Sequence, residues 1–352
     1  MPDRNSWIAW AAIALTGLCL SGCSTYSNLH SSWGGSRYPI PSDRFPLPPE
    51  DEDVVGTIQV ATAHDSDTLL DIARRYDLGY DEIIAANPGV DVWLPGEGTP
   101  VVLPTQFVLP DAPREGLVLN LAAMRLFYFP EPEAGKRPVV ITHPIGIGRE
   151  GWQTPEGVMA ITHKKVNPAW TVPESVREEH AAAGTPLPAI VGTGPDNPLG
   201  DYAMRLSDPL YLIHGTNQPY GVGMRVSHGC VRLYPEDIER LFPQVPVGTR
   251  VRIVNQPYLA GRRNGQVYLE AHRPLAEQAA RWGRSLKPMK TQVRKKAPGA
   301  VNWDQAEKVA REAKGIPLPI SPNSPDEEAV LSKAPRVPSN PPWVLAENEE
   351  QR

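Results

Sequence analysis

Between residues 106 and 256 the chain breaks into short apolar runs separated by turn residues, and this pattern constrains its fold most. Leu117-Val118-Leu119-Asn120-Leu121 is followed closely by Arg125-Leu126-Phe127-Tyr128-Phe129, which reads as a hairpin. Runs at 138–142, 157–162, 210–214 and 250–254 continue the series. Few stretches are long enough for a helix. The exception is Pro235–Phe242, just past the hexapeptide Ser227-His228-Gly229-Cys230-Val231-Arg232. The reading is a mostly β domain, sandwich-like by strand count.

A length of 352 residues leaves room for more than this domain. Residues 54–105 read as a compact unit of strand, helix, helix and strand. Thr57–Val60 alternates as a strand does. Asp67 is the expected N-cap of a helix over Thr68–Tyr76, where apolar residues recur at helical spacing. A second helix over Tyr80–Asn87 stops at Pro88-Gly89, and Val101–Leu103 closes the unit. The stretches DTLLDIARRY, AANPGVD and GTPVVLP resemble those of a LysM module, an α/β (βααβ) fold that binds the glycan of peptidoglycan. One departure is Ser66, where that module usually carries a glycine before Asp-Thr-Leu. The chain holds 40 prolines, densest in its flanks. On that basis residues 23–53 read as a flexible tether and 315–352 as a disordered tail. Residues 257–314 read as an extension with helices at Leu275–Trp282 and Asp304–Lys314.

The start of the chain reads as an export signal over residues 1–22, with an apolar stretch from Trp7 to Leu20. Leu20-Ser21-Gly22-Cys23 resembles a bacterial lipobox. That resemblance implies lipid on Cys23 and, with Ser24 rather than Asp next, a periplasmic protein anchored to the outer membrane. The formal net charge is -5, and no concentrated basic face suggests nucleic acid as a partner. Of the three cysteines, Cys19 would leave with the signal and Cys23 would be acylated. Cys230 is then the single free thiol of an exported chain, where cysteines are usually paired.

Its neighbours suggest a reason. His214 ends an expected strand sixteen positions upstream, a gap that lets a loop return and bring imidazole and thiol together. Gly229 permits a tight turn, so the backbone N–H groups of Gly229 and Cys230 can face a developing oxyanion. Arg232 supplies charge for a carboxylate. No acidic residue lies nearby to orient the imidazole, which leaves the Gly215 carbonyl as the nearest candidate. A zinc site on His214, His228 and Cys230 is the rival reading, since all three are competent ligands.

HGTNQPYGVGMRVSHGCVRLYPEDIERLF resembles the signature of the L,D-transpeptidases with a YkuD-type domain. Gly146-Ile147-Gly148, Thr154-Pro155-Glu156-Gly157, NPAW at 167–170 and GPDNPLG at 194–200 add to it. With the LysM-like unit, the likeness extends to the subgroup that attaches the Braun lipoprotein to peptidoglycan. The resemblance implies acyl transfer without a cofactor. Cys230 would attack the L-centre carbonyl of diaminopimelate in a tetrapeptide stem, releasing D-alanine and leaving a thioester. His214 would serve as base and then acid, oriented by Gly215. His228 would shape the pocket or support the oxyanion beside the Gly229 N–H, and Arg232, Ser227 and Thr216 would meet substrate. The acceptor amine would belong to a second stem or to a lipoprotein lysine. Two alternatives stand beside this: a non-catalytic wall-binding lipoprotein and a metal-dependent amidase.

Overall fold

The apolar runs of the central region become one mixed sheet. In the computed structural model its order is Arg44–Pro46, Val139–Pro144, Arg125–Phe129, Gly116–Asn120, Arg250–Val254, Gly157–Val166, Tyr202–Leu206, Leu212–His214 and Val231–Arg232. Gly116–Asn120 runs parallel to Arg250–Val254, and Leu212–His214 parallel to Val231–Arg232. The other neighbours are antiparallel. The structure describes residues 43–279, 285–297 and 299–338, all within one compact unit. The expected signal, Cys23 and residues 339–352 lie outside them.

The strand Gly157–Val166 joins two halves of this sheet. Its first residues pair with Arg250–Ile253 and its last with Tyr202–Leu206, with a register shift between Ile161 and His163. Such an irregularity bends a strand. Leu117, Leu119, Val251 and Ile253 from one half share a core cluster with Met204, Leu206, Ile213 and Val231 from the other. The protein is mostly β, and its sandwich-like core is enclosed by two halves of a single sheet.

Alternation along the strands sends other side chains the opposite way. Val118, Phe127, Phe129 and Val140 join Leu69, Ile72, Leu78 and Ile83 of the N-terminal unit in a second cluster. Both faces of these strands are therefore buried. That is why they read as unbroken apolar runs instead of the half-polar alternation of a one-sided sheet. The N-terminal unit has strands Gln59–Thr62 and Pro100–Leu103 around helices Leu69–Arg75 and Tyr80–Ala86. The first helix is capped by Thr68, not Asp67: Thr68 Oγ1 accepts the Asp71 N–H at 3.1 Å. Asp67 instead accepts from Arg75 Nη1 at 2.6 Å.

A buried ion pair fastens this unit to the sheet. Arg125 Nε and Nη2 donate to Glu82 Oε1 and Oε2 at 2.7 and 2.8 Å. Beside it, His143 Nδ1 lies 3.1 Å from Asp77 Oδ2 and 3.5 Å from Asp237 Oδ1.

Three flank readings are corrected. Residues 43–53, expected in the tether, enter the fold: Arg44–Pro46 pairs with Val139–Ile141 at the sheet edge. The extension expected to be helical opens with a hairpin, Tyr258–Arg263 with Gln266–Ala271. Helices follow at Lys287–Lys296 and Trp303–Glu312; of the helix expected at Leu275–Trp282 the described residues hold a 3-10 turn at Ala276–Gln278, and residues 280–282 lie outside them. The expected disordered tail is ordered through residue 338. Ile316, Leu318 and Ile320 are buried, and Arg336–Pro338 adds a parallel strand to Gln59–Thr62. Its prolines read as disorder, but the apolar residues between them supply enough burial to offset chain entropy.

Candidate active site

Strand register brings the expected site together. Ile213 pairs with Val231 and His214 with Arg232. Cys230 immediately precedes Val231–Arg232, so this pairing sets the nucleophile at the start of the strand that lies beside Leu212–His214. Leu233 N–H donates to the His214 carbonyl at 2.9 Å, closing the pairing. Tyr202–Leu206 flanks Leu212–His214 on the other side and fixes it from both edges.

His214 is buried, and its Nδ1 lies 2.6 Å from the Gly215 carbonyl oxygen. A carbonyl only accepts, so Nδ1 carries the proton and Nε2 presents its lone pair. Burial, and then the charge of Arg232, push its pKa down to about 3. The imidazole is neutral at any physiological pH, the form in which it can take a proton. Cys230 is partly exposed and unpaired. Its Sγ lies 3.8 Å from the Leu210 carbonyl. Burial raises the thiol above its ordinary value, against the lowering pull of the Leu212 backbone and Arg232. The resting pair is thus a thiol and a neutral imidazole, and no hydrogen bond joins them among the described residues.

Arg232 has no carboxylate partner among the described residues, and its Nε is buried without a hydrogen bond. Its backbone is held by Gly146, which exchanges two hydrogen bonds with it at 2.8 and 2.9 Å. An unpaired, half-buried guanidinium beside a nucleophile is suited to a substrate carboxylate.

Other expected roles meet different geometry. The Gly229 N–H does not face open space; it donates to Ser227 Oγ at 3.1 Å. Ser227 Oγ in turn donates to the Cys230 carbonyl at 2.5 Å. Both groups are spent on the turn itself, which corrects the expectation of Gly229 N–H as an oxyanion donor and of Ser227 as a substrate contact. Thr216 is buried, and its Oγ1 accepts the Gln218 N–H at 2.9 Å, so it too shapes a loop. Gly229 does need its missing side chain. Its φ is +102°, and a Cβ would come within 2.8 Å of the Tyr211 ring.

His228 is held by groups that the sequence reading missed. Its Nε2 lies 3.1 Å from Glu179 Oε2 and 3.2 Å from Arg149 Nη2. Trp152 packs against the ring edge to face at 4.8 Å. Glu179 and Arg149 are themselves ion-paired. Glu179 sits on a helix, Glu174–Ala182, inserted between Gly157–Val166 and Tyr202–Leu206. Burial pushes the His228 imidazole below its ordinary value, against the raising pull of Glu179. Thr154 was also missed as a site residue, although TPEG stood out as a motif. Its Oγ1 donates to the Gly229 carbonyl at 2.8 Å and accepts the Gly148 N–H at 3.0 Å.

The rival zinc trio does not assemble. Among the described residues, the metal-competent group with converging ligand atoms is Asp77, His143 and Asp237, buried against the N-terminal unit. His214, His228 and Cys230 form no such group.

Comparison with known proteins places this arrangement. Residues 114–253 match the YkuD family model, described as an L,D-transpeptidase catalytic domain. The chain is 44% identical over 250 residues to "Probable L,D-transpeptidase YbiS" of Escherichia coli K12, spanning 70% of this chain and 80% of that protein. It is 43% identical over 245 residues to "Probable L,D-transpeptidase YcfS" of the same strain, spanning 68% and 75%. Likeness to "Probable L,D-transpeptidase ErfK/SrfK" of Salmonella typhimurium LT2 is 42% over 290 residues, spanning 80% and 92%.

Proposed function

Since the chain belongs to the YkuD L,D-transpeptidase family and is an enzyme of that class, we propose that it transfers peptidoglycan stem peptides through a thioester on Cys230. The observation that carries this reading is the neutral His214, whose Nδ1–H is held by Gly215 and whose strand pairs with that of Cys230.

The chemistry follows from the resting protonation states. Nε2 of His214 takes the thiol proton as Sγ attacks the carbonyl at the L-centre of diaminopimelate. A C–S bond forms. The oxyanion is met by the Cys230 N–H, the donor left once Gly229 is spent on Ser227. Collapse breaks the C–N bond, and His214 returns its proton to the departing D-alanine amine. An incoming amine then attacks the thioester, gives its proton to His214, and the thiol is restored. One amide replaces another, so no external energy source is needed. Arg232 holds a carboxylate of the stem peptide.

The finer assignments rest on sequence. The acceptor is a diaminopimelate amine of a second stem or the lysine of an outer-membrane lipoprotein. The N-terminal unit holds glycan as a LysM module, and a lipid on Cys23 keeps the enzyme at the periplasmic face of the outer membrane. The test is incubation of purified protein with a tetrapeptide donor and each acceptor amine, followed by mass spectrometry. Trapping with a carbapenem reports the same thiol. Wild type should form the thioester and the new amide, and Cys230→Ala neither. Full turnover by Cys230→Ala would overturn the reading.

A further inference from the structure

The segment after the second hairpin lies beyond the 114–253 match, yet it returns to the active-site side. Glu277, in the turn Ala276–Gln278, forks onto Arg225: Oε1 accepts from Nη2 at 2.8 Å and Oε2 from Nη1 at 2.9 Å. Both side chains are only about one-fifth exposed, at 20% and 19%. Arg225 Nε donates to the Gly148 carbonyl at 3.3 Å. The next residue, Gln278, donates from Nε2 to Glu156 Oε1 at 2.9 Å. Two consecutive residues thus grip the loop 148–156 at both ends.

That loop holds the nucleophile turn. Its Thr154 takes the Gly229 carbonyl, and the Arg149 N–H donates to the Ser227 carbonyl at 3.0 Å. Arg149 and Trp152 hold His228. A Cβ on Gly148 would sit 1.9 Å from the Trp152 carbonyl and 3.0 Å from the Gly229 Cα, so loop and turn have no slack between them. Arg225 also opens the strand Arg225–Ser227 that leads to Cys230 and pairs with Ile147–Gly148. A displacement at Glu277 therefore reaches the thiol through hydrogen bonds and backbone contact alone.

We propose that Glu277 is a positioning residue for the transpeptidation, fixing the Cys230 turn through Arg225 and the loop 148–156. It acts without touching substrate, and the inference rests on the Cys230 reading above. The test uses the full chain carrying Glu277→Ala, Glu277→Gln or Gln278→Ala. Misplacing a reacting group by a fraction of an ångström lowers turnover far more than binding, so Glu277→Ala should lower kcat about tenfold with KM within about twofold. Glu277→Gln, which keeps one bond to Arg225, should recover part of the loss. Alkylation of Cys230 by iodoacetamide gives a second readout, independent of any peptide or acceptor. Loosening the turn opens a partly exposed thiol further to solvent and reagent, and the rate at neutral pH should rise at least about threefold in Glu277→Ala. The unfolding midpoint should not move. Unchanged kcat and alkylation would overturn the proposal. So would a rise in KM alone, or a loss of turnover that tracks a fall in unfolding temperature. The alkylation result stands even where the acceptor assigned above proves wrong, so the two readings fail separately.

Discussion

Glu82→Ala separates a fused N-terminal unit from a tethered one. Glu82 supplies both oxygens to Arg125 and also accepts the Gly79 N–H at 2.7 Å, capping the helix Tyr80–Ala86. Without it, Arg125 keeps the Asp77 carbonyl at 2.8 Å, the Thr142 hydroxyl at 3.2 Å and the face of Phe107 at 4.2 Å. None of these carries a full negative charge, and the Arg125 side chain is 1% exposed. Stranding a buried guanidinium in this way costs about 3–5 kcal/mol. The lost cap adds about 1 kcal/mol. The expected loss is about 4–6 kcal/mol in urea unfolding, read by tryptophan fluorescence and far-UV circular dichroism as one shared transition. Replacing both partners, Glu82→Leu with Arg125→Met, removes the stranded charge and should recover most of that loss. A tethered module gives a different result. Glu82→Ala would then cost less than about 1 kcal/mol, or the N-terminal unit would melt alone ahead of the sheet, and the shared-core argument would fail.

Three further outcomes are expected. Burial foremost, and then the charge of Asp77, raise Asp237 to about 7, and the flanking carboxylates Asp237 and Asp77 hold His143 up against its own burial. Both groups bind protons on folding, so unfolding free energy should fall as pH rises from about 4 to about 7; Asp237→Asn should flatten that slope in titrated urea melts, and an unchanged slope refutes the assignment. Gly223→Ala puts a Cβ 2.2 Å from the Tyr80 nitrogen at φ +79°, driving the helix Tyr80–Ala86 away from the loop before Cys230; a loss of at least about 2 kcal/mol and a fall in turnover should follow, and a silent variant would contradict the docking seen there. Truncation after Lys314 removes buried Ile316, Leu318 and Ile320, each contributing about 1.5–3 kcal/mol, so the shortened chain should unfold at markedly lower urea; equal stability would restore the reading of a disordered tail.

The nucleophile was legible because its determinants are contiguous or nearly so. Ser227 to Arg232 carry thiol, turn glycine and guanidinium within six positions, and His214 lies one loop upstream. A strand ending in His-Gly also exposed its own orienting carbonyl, since Gly215 follows directly. What failed was any question of which hydrogen-bonding group is already satisfied. Gly229 N–H and Ser227 Oγ look available in the string and are spent on each other in the fold. The supports were illegible for another reason. Glu179, Arg149, Thr154 and Glu277 lie between 49 and 79 residues from the His228, Gly229 or Arg225 groups they hold. No local pattern announces such a pairing.

The flanks show how composition misleads when it is not weighed against burial. Proline removes a ladder donor and suits sheet edges, the place where Arg44–Pro46 and Arg336–Pro338 lie. At an edge the missing N–H costs nothing, and neighbouring apolar residues still reach the core: Val337 joins the cluster of Leu69 and Ile72. A proline-rich segment is therefore no evidence of disorder when isoleucine, leucine or valine recurs between the prolines. The same logic fuses the N-terminal unit to the sheet. Phe107, Phe127 and Phe129 lie on the face turned from the central core, and there they share a cluster with Leu69, Leu78 and Ile83. A strand apolar on both sides needs a second layer, and the unbroken run Arg125–Phe129 already required one before its identity was known.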